Sequence, residues 1–282
     1  MSFPQKYSKF DTKFHLVQFE ADLVLRVSFS RPPVNAWHDA MWRELHALFN
    51  IISSDPDVAV VVLSGEGRCF TAGLDLKSNE LPSLLASVED PARRAFALHA
   101  HIKEFQAAIS SIEKCTKPVI GAAHGIAYGL AIDLLSACDI RYVASCAMLS
   151  IREVNIGLAA DIGTLQRFPK VVGNDSLTRE LVYTARAFTP AEAQTIGFVS
   201  KVTGQGQPAV VAAAIETAKE IASKSPVAVA GSKAILNYSR DHPVEDGLAF
   251  TAIWNAAMVQ TEDVPIASQA ILAKQKAAFS KL

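Results

Sequence analysis

Three acidic residues, Asp133, Glu153 and Asp161, stand in the least polar part of the 282-residue sequence. A run punctuated by glycines leads up to the first of them, and residues 121–133 read GAAHGIAYGLAID. Ionised carboxylates are costly to bury without partners, so a chain that sets several among Ala, Ile, Leu and Val usually has a use for them. The three acids therefore predict an acid/base apparatus.

Each acid also has an ordinary structural interpretation. Asp161 precedes the segment IGTL and would serve as the N-cap of a helix. Glu153 would be a surface residue, and Asp133 would lie on a solvated helix face. Asp75, a fourth acid nearby, is expected to hold its own loop through a side-chain turn rather than to take part in catalysis.

Two loops close to these acids contain glycines where the backbone must turn tightly. The first, 69–76, reads CFTAGLDL, and the second, 125–130, reads GIAYGL. Both loops leave predicted strands at the carboxyl end, where ligands gather in open α/β sheets, and each glycine stands beside a residue that can direct its N–H into a cleft. Two such amides on one carbonyl form an oxyanion hole, in which each donor contributes about 3 kcal/mol. Glycine-rich turns also occur for packing alone, so the pattern leaves both interpretations open.

Strands and helices alternate in the part of the chain that positions these loops. An order of buried strand, loop and helix occurs twice and predicts a parallel sheet with helices on its faces. The predicted strands are 58–64, 118–123 and 139–144, and the predicted helices are 93–113 and 129–137. Ahead of them, 15–20 and 23–30 are predicted to form a hairpin, and 39–53 has helical spacing.

Helical patterns dominate beyond Asp161. They cover 176–184, 191–196, 208–224, 227–239, 244–259 and 266–279, with one strand at 198–202. The amphipathic faces of such helices can close a core or bind other subunits. The sequence thus predicts a core with the active site at 1–200 and a helical region at 201–282.

The charge balance and the hydropathy exclude two classes of function. The 27 basic and 28 acidic residues give a net charge of −1, and no basic block interrupts the chain, so a nucleic-acid-binding surface is not indicated. Residues 118–138 have the length of a membrane span. Because Pro118, His124 and three glycines interrupt that segment, a buried core segment is predicted instead of a span.

Cysteine and histidine spacing predicts no metal centre. The four cysteines form no CxxC pair and lie in apolar surroundings, which is typical of reduced core thiols. They are Cys69, Cys115, Cys138 and Cys146. The seven histidines include no HExxH, and His99 and His101 would point to different faces of a helix.

Four motifs, in order along the chain, resemble those of one enzyme superfamily. They are RPPVNA at 31–36, FTAGLD at 70–75, HGIAYG at 124–129, which leads to Asp133, and ACDIR at 137–141. Together they resemble the crotonase (enoyl-CoA hydratase/isomerase) superfamily over nearly the whole chain. The resemblance implies an α/β fold, namely a crotonase-like spiral of repeated ββα units with a helical C-terminal region.

A second set of motifs is similar to one branch of that superfamily. EVNIGLAADIGTLQR at 153–167, SKSPVA at 223–228 and YSRDH at 238–242 resemble the Δ3,5-Δ2,4-dienoyl-CoA isomerases. This resemblance implies isomerisation of 3,5-dienoyl-CoA to 2,4-dienoyl-CoA in the β-oxidation of unsaturated fatty acids. The implied partner is an acyl-CoA thioester substrate, and no cofactor is expected beyond the CoA that the substrate carries.

The resemblance also assigns the thioester end of the site, where the N–H groups of Leu74 and Leu130 would form the oxyanion hole. The residues implied to bind substrate are Ala72, Gly73, Leu74, Asp75, Leu76, Gly129 and Leu130, with Asn35 and Ala36 near the nucleotide end. The second loop departs from the family, because Gly129-Leu130-Ala131 stands where Gly-Gly-Gly is usual. A side chain is tolerated there if φ stays negative, since the function uses a main-chain amide.

Moving two double bonds along a diene requires removal of a proton near the thioester carbonyl and return of one farther along the chain. These two positions, C2 and C6, are far enough apart that two acids are the natural solution. The resemblance assigns C2 to Glu153 and C6 to Asp161, with Asp133 as a third acid that sets the local field. Crowded carboxylates raise one another's pKa, so at least one should be protonated when substrate arrives.

Three other functions compete with this isomerisation. Enoyl-CoA hydratases of the superfamily typically carry glutamates at the first two acid positions, whereas this chain has Asp133 at the first and an additional Asp161. A Δ3-Δ2-enoyl-CoA isomerase should not require Asp161. A crotonase-fold binding protein, including the RNA-binding relatives, should lack the paired acids or show a lysine-rich helix, and the sequence shows neither feature.

The last three residues, Ser280, Lys281 and Leu282, match the peroxisomal targeting tripeptide. They predict a peroxisomal location and an import receptor as a partner. The resemblance implies trimers paired into a homo-hexamer, and the apolar C-terminal helices are consistent with such contacts. The preference for acyl chain length depends on a pocket formed by 81–105 and the C-terminal helices, and the sequence leaves it open.

Overall fold

Nine strands form two sheets in the computed structural model, which describes residues 5–282. They are β1 (Gln5–Lys6), β2 (His15–Ala21), β3 (Val24–Phe29), β4 (Val60–Gly65), β5 (Val119–Ala123), β6 (Ile126–Tyr128), β7 (Ile140–Ala144), β8 (Met148–Ser150) and β9 (Lys201–Thr203). Seven of them join in the order β1-β2-β3-β4-β5-β7-β9, and β6 pairs with β8. The first three are antiparallel, and every later pair is parallel. The predicted hairpin and parallel sheet are confirmed.

Helices cover both faces of the large sheet. They are α1 (Asp39–Ser53), α2 (Leu81–Ser87), α3 (Pro91–Lys114), α4 (Leu130–Ala137), α5 (Thr164–Val171), α6 (Asp175–Thr184), α7 (Pro190–Thr195), α8 (Gly206–Ala222), α9 (Pro226–Ser239), α10 (Val244–Met258) and α11 (Asp263–Leu272), with a 3₁₀ helix at Glu153–Ile156. Every residue of β4 and β5 is buried, as expected for parallel strands between two helical layers. The fold is therefore the predicted α/β fold.

Two apolar clusters form the core, one on each face of the sheet. The larger contains Trp37, Leu45 and Phe49 and extends through α1, α3 and α4. The smaller packs Val210 and Ala214 of α8 against the other face of β4 and β5. The carboxyl ends of β4 and β5 lead into the two glycine-containing loops, which the core thus holds in place.

The helical region does not begin at residue 201, because β9 and α8 belong to the core. β9 pairs in parallel with β7, and α8 supplies the apolar side chains that cover the second sheet face. Next along the chain, Lys233 of α9 donates to Asp139 at 2.8 Å and to the carbonyl of Lys117 at 3.0 Å. The packed core continues at least to the end of α8, and the division of the chain at residue 200 stays a prediction.

Two predicted elements have different bounds in the structure. Phe198 and Val199 precede β9 rather than begin it, because both amides donate to the carbonyl of Ala193 and close the end of α7. Helix α11 ends at Leu272 rather than near 279. Lys274 takes a left-handed conformation with φ 54°, which ends the helix.

The structure also shows where the four cysteines lie and which elements the apolar segment 118–138 forms. Cys69, Cys115 and Cys138 are buried free thiols as predicted, but Cys146 is exposed. Cys146 lies in the turn between β7 and β8, outside both apolar clusters. Segment 118–138 is divided into β5, β6 and α4, and none of the helices in residues 5–282 has the length and apolar character needed to cross a membrane.

Candidate active site

The two glycine-containing loops lie side by side and are joined by main-chain hydrogen bonds. The N–H of Thr71 donates to the carbonyl of Ile126 at 3.1 Å, and the N–H of Tyr128 donates back to Thr71 at 3.2 Å. A further bond runs from Phe70 N–H to the carbonyl of His124 at 2.8 Å. The relative position of the loops is therefore fixed by backbone rather than by side chains.

The amides of Leu74 and Leu130 are free donors at this junction. Each follows a glycine in the left-handed region, with φ 98° at Gly73 and 55° at Gly129, where other residues would be strained. Neither leucine N–H donates a hydrogen bond to any other residue from 5 to 282. Because Leu130 is the first residue of α4, its N–H also carries the positive end of the helix dipole. Two unpaired main-chain donors are the kind of group that an oxyanion hole requires.

The departure from the glycine run at Leu130 and Ala131 leaves the donor intact. Leu130 begins a right-handed helix and is absent from the residues with positive φ, as the sequence analysis required. Its side chain is 3% exposed and Ala131 is fully buried, so both side chains belong to the core. Only main chain is needed from this position at the site.

A cavity of about 260 Å³ lies beside these amides, and two of the three predicted acids line it. Its lining comes from both loops, α3 and the segment between β8 and α5. The lining residues are Ala72, Gly73, Leu74, Leu76, Phe105, Gly129, Leu130, Arg152, Glu153, Asn155, Ile156, Leu158, Asp161 and Ile162. Glu153 and Asp161 thus share a cavity with both free amides, whereas Asp133 lies outside its lining.

Glu153 is placed beside the second loop by the 3₁₀ helix that it begins. A Cβ on Gly129 would stand 3.1 Å from its Oε1, so the absence of a side chain at Gly129 leaves room for the acid. Burial raises the pKa of Glu153, the N–H groups of Glu153 and Arg152 oppose that rise, and the charge of Asp161 adds to it. Glu153 is not the surface residue of the alternative interpretation.

Asp161 lies on the irregular segment before α5. The N-cap of α5 is Gly163, so the alternative assignment of Asp161 as a helix cap is wrong. Its main-chain carbonyl accepts a hydrogen bond of 2.7 Å from Gln106 Nε2 of α3. Burial raises the pKa of the Asp161 carboxyl, partly opposed by its own N–H and by His101. Two acids of raised pKa in one cavity are typical of groups that take part in acid/base chemistry.

Asp133 is fully buried in α4, so the solvated helix face of the alternative interpretation is wrong. Its Oδ1 accepts a hydrogen bond of 2.6 Å from the N–H of Thr164, three residues after Asp161. Burial, and after it the charge of Glu153, raise the pKa of Asp133 to about 7, while the Thr164 hydrogen bond opposes the rise. Asp133 therefore lies outside the cavity lining, and its interaction with the site is the charge interaction with Glu153.

Asp75 and Asn35, two predicted substrate-binding residues, hold the first loop together. The Asp75 carboxylate accepts from Arg31 at 2.7 Å and from the N–H groups of Lys77 and Ser78 at 3.0 and 3.2 Å. The favoured interpretation of Asp75 as a loop-holding residue is confirmed.

Asn35 is 2% exposed, and its amide donates to the carbonyls of Glu66, Cys69 and Phe70. These bonds occupy the side-chain amide, and the placement of Asn35 and Ala36 near the nucleotide end of a ligand stays a prediction. The Ala36 carbonyl likewise accepts from Arg31 at 2.6 Å. Both residues stabilise the loop and lie outside the cavity lining.

Several lining residues were not singled out from the sequence. Phe105 lines the cavity from the C-terminal half of the long helix α3. Arg152 also lines it, and its guanidinium lies 3.8 Å from the ring centroid of Tyr128. Phe105 had one available signal, the apolar spacing of its helix, which does not show what the helix packs against. Of the segment 81–105 that was expected to form the acyl pocket, Phe105 alone is in the described lining.

One further group of metal-binding residue types occurs among residues 5–282, formed by Asp39, Glu80 and His101. The Glu80 carboxylate accepts two hydrogen bonds from Arg43, at 2.8 and 2.9 Å. Asp39 accepts the N–H of Glu80 at 2.7 Å. Because the Arg43 guanidinium already pairs with the Glu80 carboxylate, the group is an ion-pair cluster that joins α1 to α2 and α3.

Comparisons with known proteins identify relatives of the chain and of its fold. The enoyl-CoA hydratase/isomerase family profile matches residues 20–281. The mitochondrial Δ3,5-Δ2,4-dienoyl-CoA isomerase of Mus musculus is 48% identical over 92% of this chain and 80% of its own length. The peroxisomal enzyme of that name from Arabidopsis thaliana is 41% identical over 92% of this chain and 93% of its own. The crystal structure of an enoyl-CoA hydratase from Bacillus anthracis superposes with a TM-score of 0.84 at 27% identity, covering 95% of this chain and 99% of that one.

Proposed function

The chain belongs to the enoyl-CoA hydratase/isomerase family, and we propose that it isomerises 3,5-dienoyl-CoA to 2,4-dienoyl-CoA. One observation carries the choice of reaction: a single cavity is lined by two free amides and by two acids of raised pKa, Glu153 and Asp161. The similarity to relatives that bear this activity in their names supports it.

The first proposed step takes place at the thioester end. The Glu153 carboxylate removes a proton from C2, and the electron pair of that C–H bond moves into the conjugated system and onto the carbonyl oxygen. The N–H groups of Leu74 and Leu130 stabilise the resulting enolate, each by about 3 kcal/mol. This step places a proton on Glu153 and a negative charge on the substrate.

The second proposed step takes place at the far end of the diene. The Asp161 carboxyl gives its proton to C6, the negative charge leaves the carbonyl oxygen, and the double bonds come to rest at C2–C3 and C4–C5. Glu153 is then protonated and Asp161 ionised, so a proton must return through solvent before the next turnover. The assignment of Asp161 as the acid comes from the family resemblance, and its position in the cavity lining with Glu153 supports it.

The position of Asp133 argues against hydration as the main activity. In the hydratases of the superfamily this position is typically a glutamate. Here the shorter side chain is fully buried and hydrogen-bonded to the N–H of Thr164, outside the cavity lining. The presence of Asp161 in the lining also argues against a Δ3-Δ2-enoyl-CoA isomerase, which has no use for a second acid at C6.

The proposed activity is tested by ultraviolet absorbance with purified protein and a 3,5-dienoyl-CoA. We expect the absorbance of the conjugated 2,4-diene to appear and its rate to scale with enzyme concentration. A 2-enoyl-CoA serves as the control substrate for hydration. An enzyme that leaves the 3,5-diene unchanged and hydrates the 2-enoyl-CoA rapidly would be a hydratase.

We propose the peroxisome as the compartment. The peroxisomal plant relative and the tripeptide Ser280-Lys281-Leu282 support this location, while the mouse relative is mitochondrial. Lys281 pairs with Asp57 at 2.8 Å, but both side chains are about half exposed, and such a pair is weak enough to release the tail to an import receptor. A fluorescent protein fused ahead of the chain should reach peroxisomes and lose that location when Leu282 is deleted. Mitochondrial import that is independent of Leu282 would refute the proposal.

We also propose that the C-terminal helices bind other copies of the chain, as trimers paired into a hexamer. Four apolar side chains of α10 and α11 are between 64% and 85% exposed, and contiguous patches of this kind mark interaction surfaces. They are Leu248, Ile253, Ile271 and Leu272. Light scattering should give a hexamer for the wild type and smaller species for Ile253→Asp. A monomeric wild type would contradict the proposal.

A further inference from the structure

The carboxyl of Asp161 is positioned by its backbone rather than by hydrogen bonds to other residues. Within residues 5–282, none donates a hydrogen bond to its side-chain oxygens, although the carboxyl is half-buried in the cavity wall. The location of this acid therefore depends on what holds the irregular segment that carries it.

Helix α3 presents a polar face to that segment. Gln106, Ser110 and Glu113 are spaced by four and three residues, which places them on one side of the helix. Gln106 Nε2 donates to the main-chain carbonyl of Asp161 at 2.7 Å. Of the contacts made by this helix face, the Gln106 hydrogen bond is the one made to Asp161 itself.

The neighbouring contacts hold the next part of the segment. Arg167 donates to Ser110 Oγ at 2.8 Å and to Glu113 at 3.3 Å, so the same face of α3 fixes its guanidinium. That guanidinium occupies the space beside Gly163, where a Cβ would stand only 1.9 Å from Nη1. On the opposite side, the N–H of Thr164 is bound by Asp133. Gln106 holds the residue that these contacts leave free.

We propose that Gln106 is the positioning residue for Asp161, and that it governs proton transfer at C6 without affecting proton removal at C2. The inference rests on the proposed division of roles between Glu153 and Asp161. Glu153 lies on the 3₁₀ helix after β8, and Gln106 makes no hydrogen bond to that helix. Loss of the Gln106 hydrogen bond should therefore move one acid and leave the other in place.

The test is Gln106→Leu, which removes the donor at similar volume. We expect kcat for the 3,5-diene to fall about 10- to 100-fold, since a displacement of about 1 Å at a reacting group costs up to about 10²-fold. The KM should change by less than about threefold. In deuterium oxide, exchange of the C2 hydrogens, followed by mass spectrometry and NMR, should stay within about twofold of the wild type.

Gln166→Leu is the matched control, because Gln166 is exposed on α5 and its side chain makes no hydrogen bond within residues 5–282. It should retain wild-type kcat. Gln106→Asn keeps the amide but shortens it, and we expect an intermediate loss. Gln106→Asn also decides the question if the leucine variant fails to fold.

Three outcomes separate this inference from the proposed function. An unchanged kcat in both Gln106 variants, with Asp161→Asn inactive, would overturn the role of Gln106 alone. Equal loss of C2 exchange and diene formation would show that Gln106 merely maintains the whole site, and would also overturn it. An Asp161→Asn enzyme at full speed would instead overturn the proposed function, and the role of Gln106 with it.

Discussion

The two ends of the site are built in different ways. At the proposed thioester end, the proposed donors are the main-chain amides of Leu74 and Leu130. Main-chain hydrogen bonds join the two loops that carry them, and these loops follow strands β4 and β5. At the far end, one carboxyl, Asp161, lies on an irregular segment that is held by Gln106 and, three residues later, by Asp133. The first end depends on backbone and the second on side chains.

This difference determines which substitutions each end tolerates. Leu130 and Ala131 replace glycines of the family at the thioester end, yet the donor persists because their side chains pack in the core. At the proposed far end, polar side chains from α3 and α4 hold the segment that carries Asp161, so substitutions in those helices are expected to shift its position. A scaffold with a fixed thioester end and an adjustable far end can support several reactions on acyl-CoA substrates.

The largest expected effect comes from removing the base at the thioester end. Glu153→Gln should lower kcat by about 10² or more, because the amide cannot accept the C2 proton, while affinity for the CoA part stays close to normal. Steady-state kinetics and C2 exchange in deuterium oxide measure both effects. Persistent C2 exchange in this variant would assign the base to another residue.

A backbone change at the same end should have a somewhat smaller effect. Gly129→Ala places a Cβ 3.1 Å from Glu153 Oε1 on a backbone of φ 55°, and such strain costs about 1–3 kcal/mol. We expect kcat to fall about 10- to 100-fold, with C2 exchange and diene formation reduced together. Gly157→Ala is the control, because that glycine has a similar φ of 74° but open space around it. A larger loss of activity in the control would contradict the account.

A third effect concerns stability rather than activity and reports on Asp133. Its pKa rises from 3.8 to about 7 in the folded chain, so the folded state binds more protons than the unfolded state between these values. The folding free energy from this group is most favourable below pH 4 and is lost as pH rises to about 7, by at most about 1.4 kcal/mol per pH unit.

Asp133→Asn removes that dependence. The variant should gain stability relative to the wild type as pH rises from 5 to 8, as measured by urea denaturation across that range. If the free energy of unfolding changed with pH in the same way in both proteins, the pKa of Asp133 would not be raised by folding. Other interactions would then stabilise its buried charge.

Local sequence patterns indicate the two glycine-containing loops more directly than the contacts that hold Asp161, for a physical reason. The tight turns at Gly73 and Gly129 and the strands before them are local features, and the burial of acids among apolar residues is visible in composition. Gln106 makes its contact with a residue 55 positions away, and no local pattern indicates that pairing. The hydrogen bonds of the Asn35 side chain were not foreseen for the same reason, because its three acceptors belong to a loop more than 30 residues away.

The elements show the same division. Helix α1 has the predicted bounds, since its apolar spacing is set within one helix. Strands β6 and β8 have three residues each and were missed, because such short strands are defined by pairing with distant parts of the chain rather than by a local pattern. Helix α5 was missed since Pro169 lies inside it and Gly163 caps it.

The most direct test of the two-acid account is hydrogen exchange by Asp161→Asn in deuterium oxide with a 3,5-dienoyl-CoA. The account predicts that this variant still exchanges the C2 hydrogens through Glu153 and the two amides, while formation of the 2,4-diene falls by about 10² or more. NMR of the recovered thioester and ultraviolet absorbance measure the two quantities in one sample. Diene formation at the wild-type rate would contradict the account, because the proton at C6 would then come from a group other than Asp161.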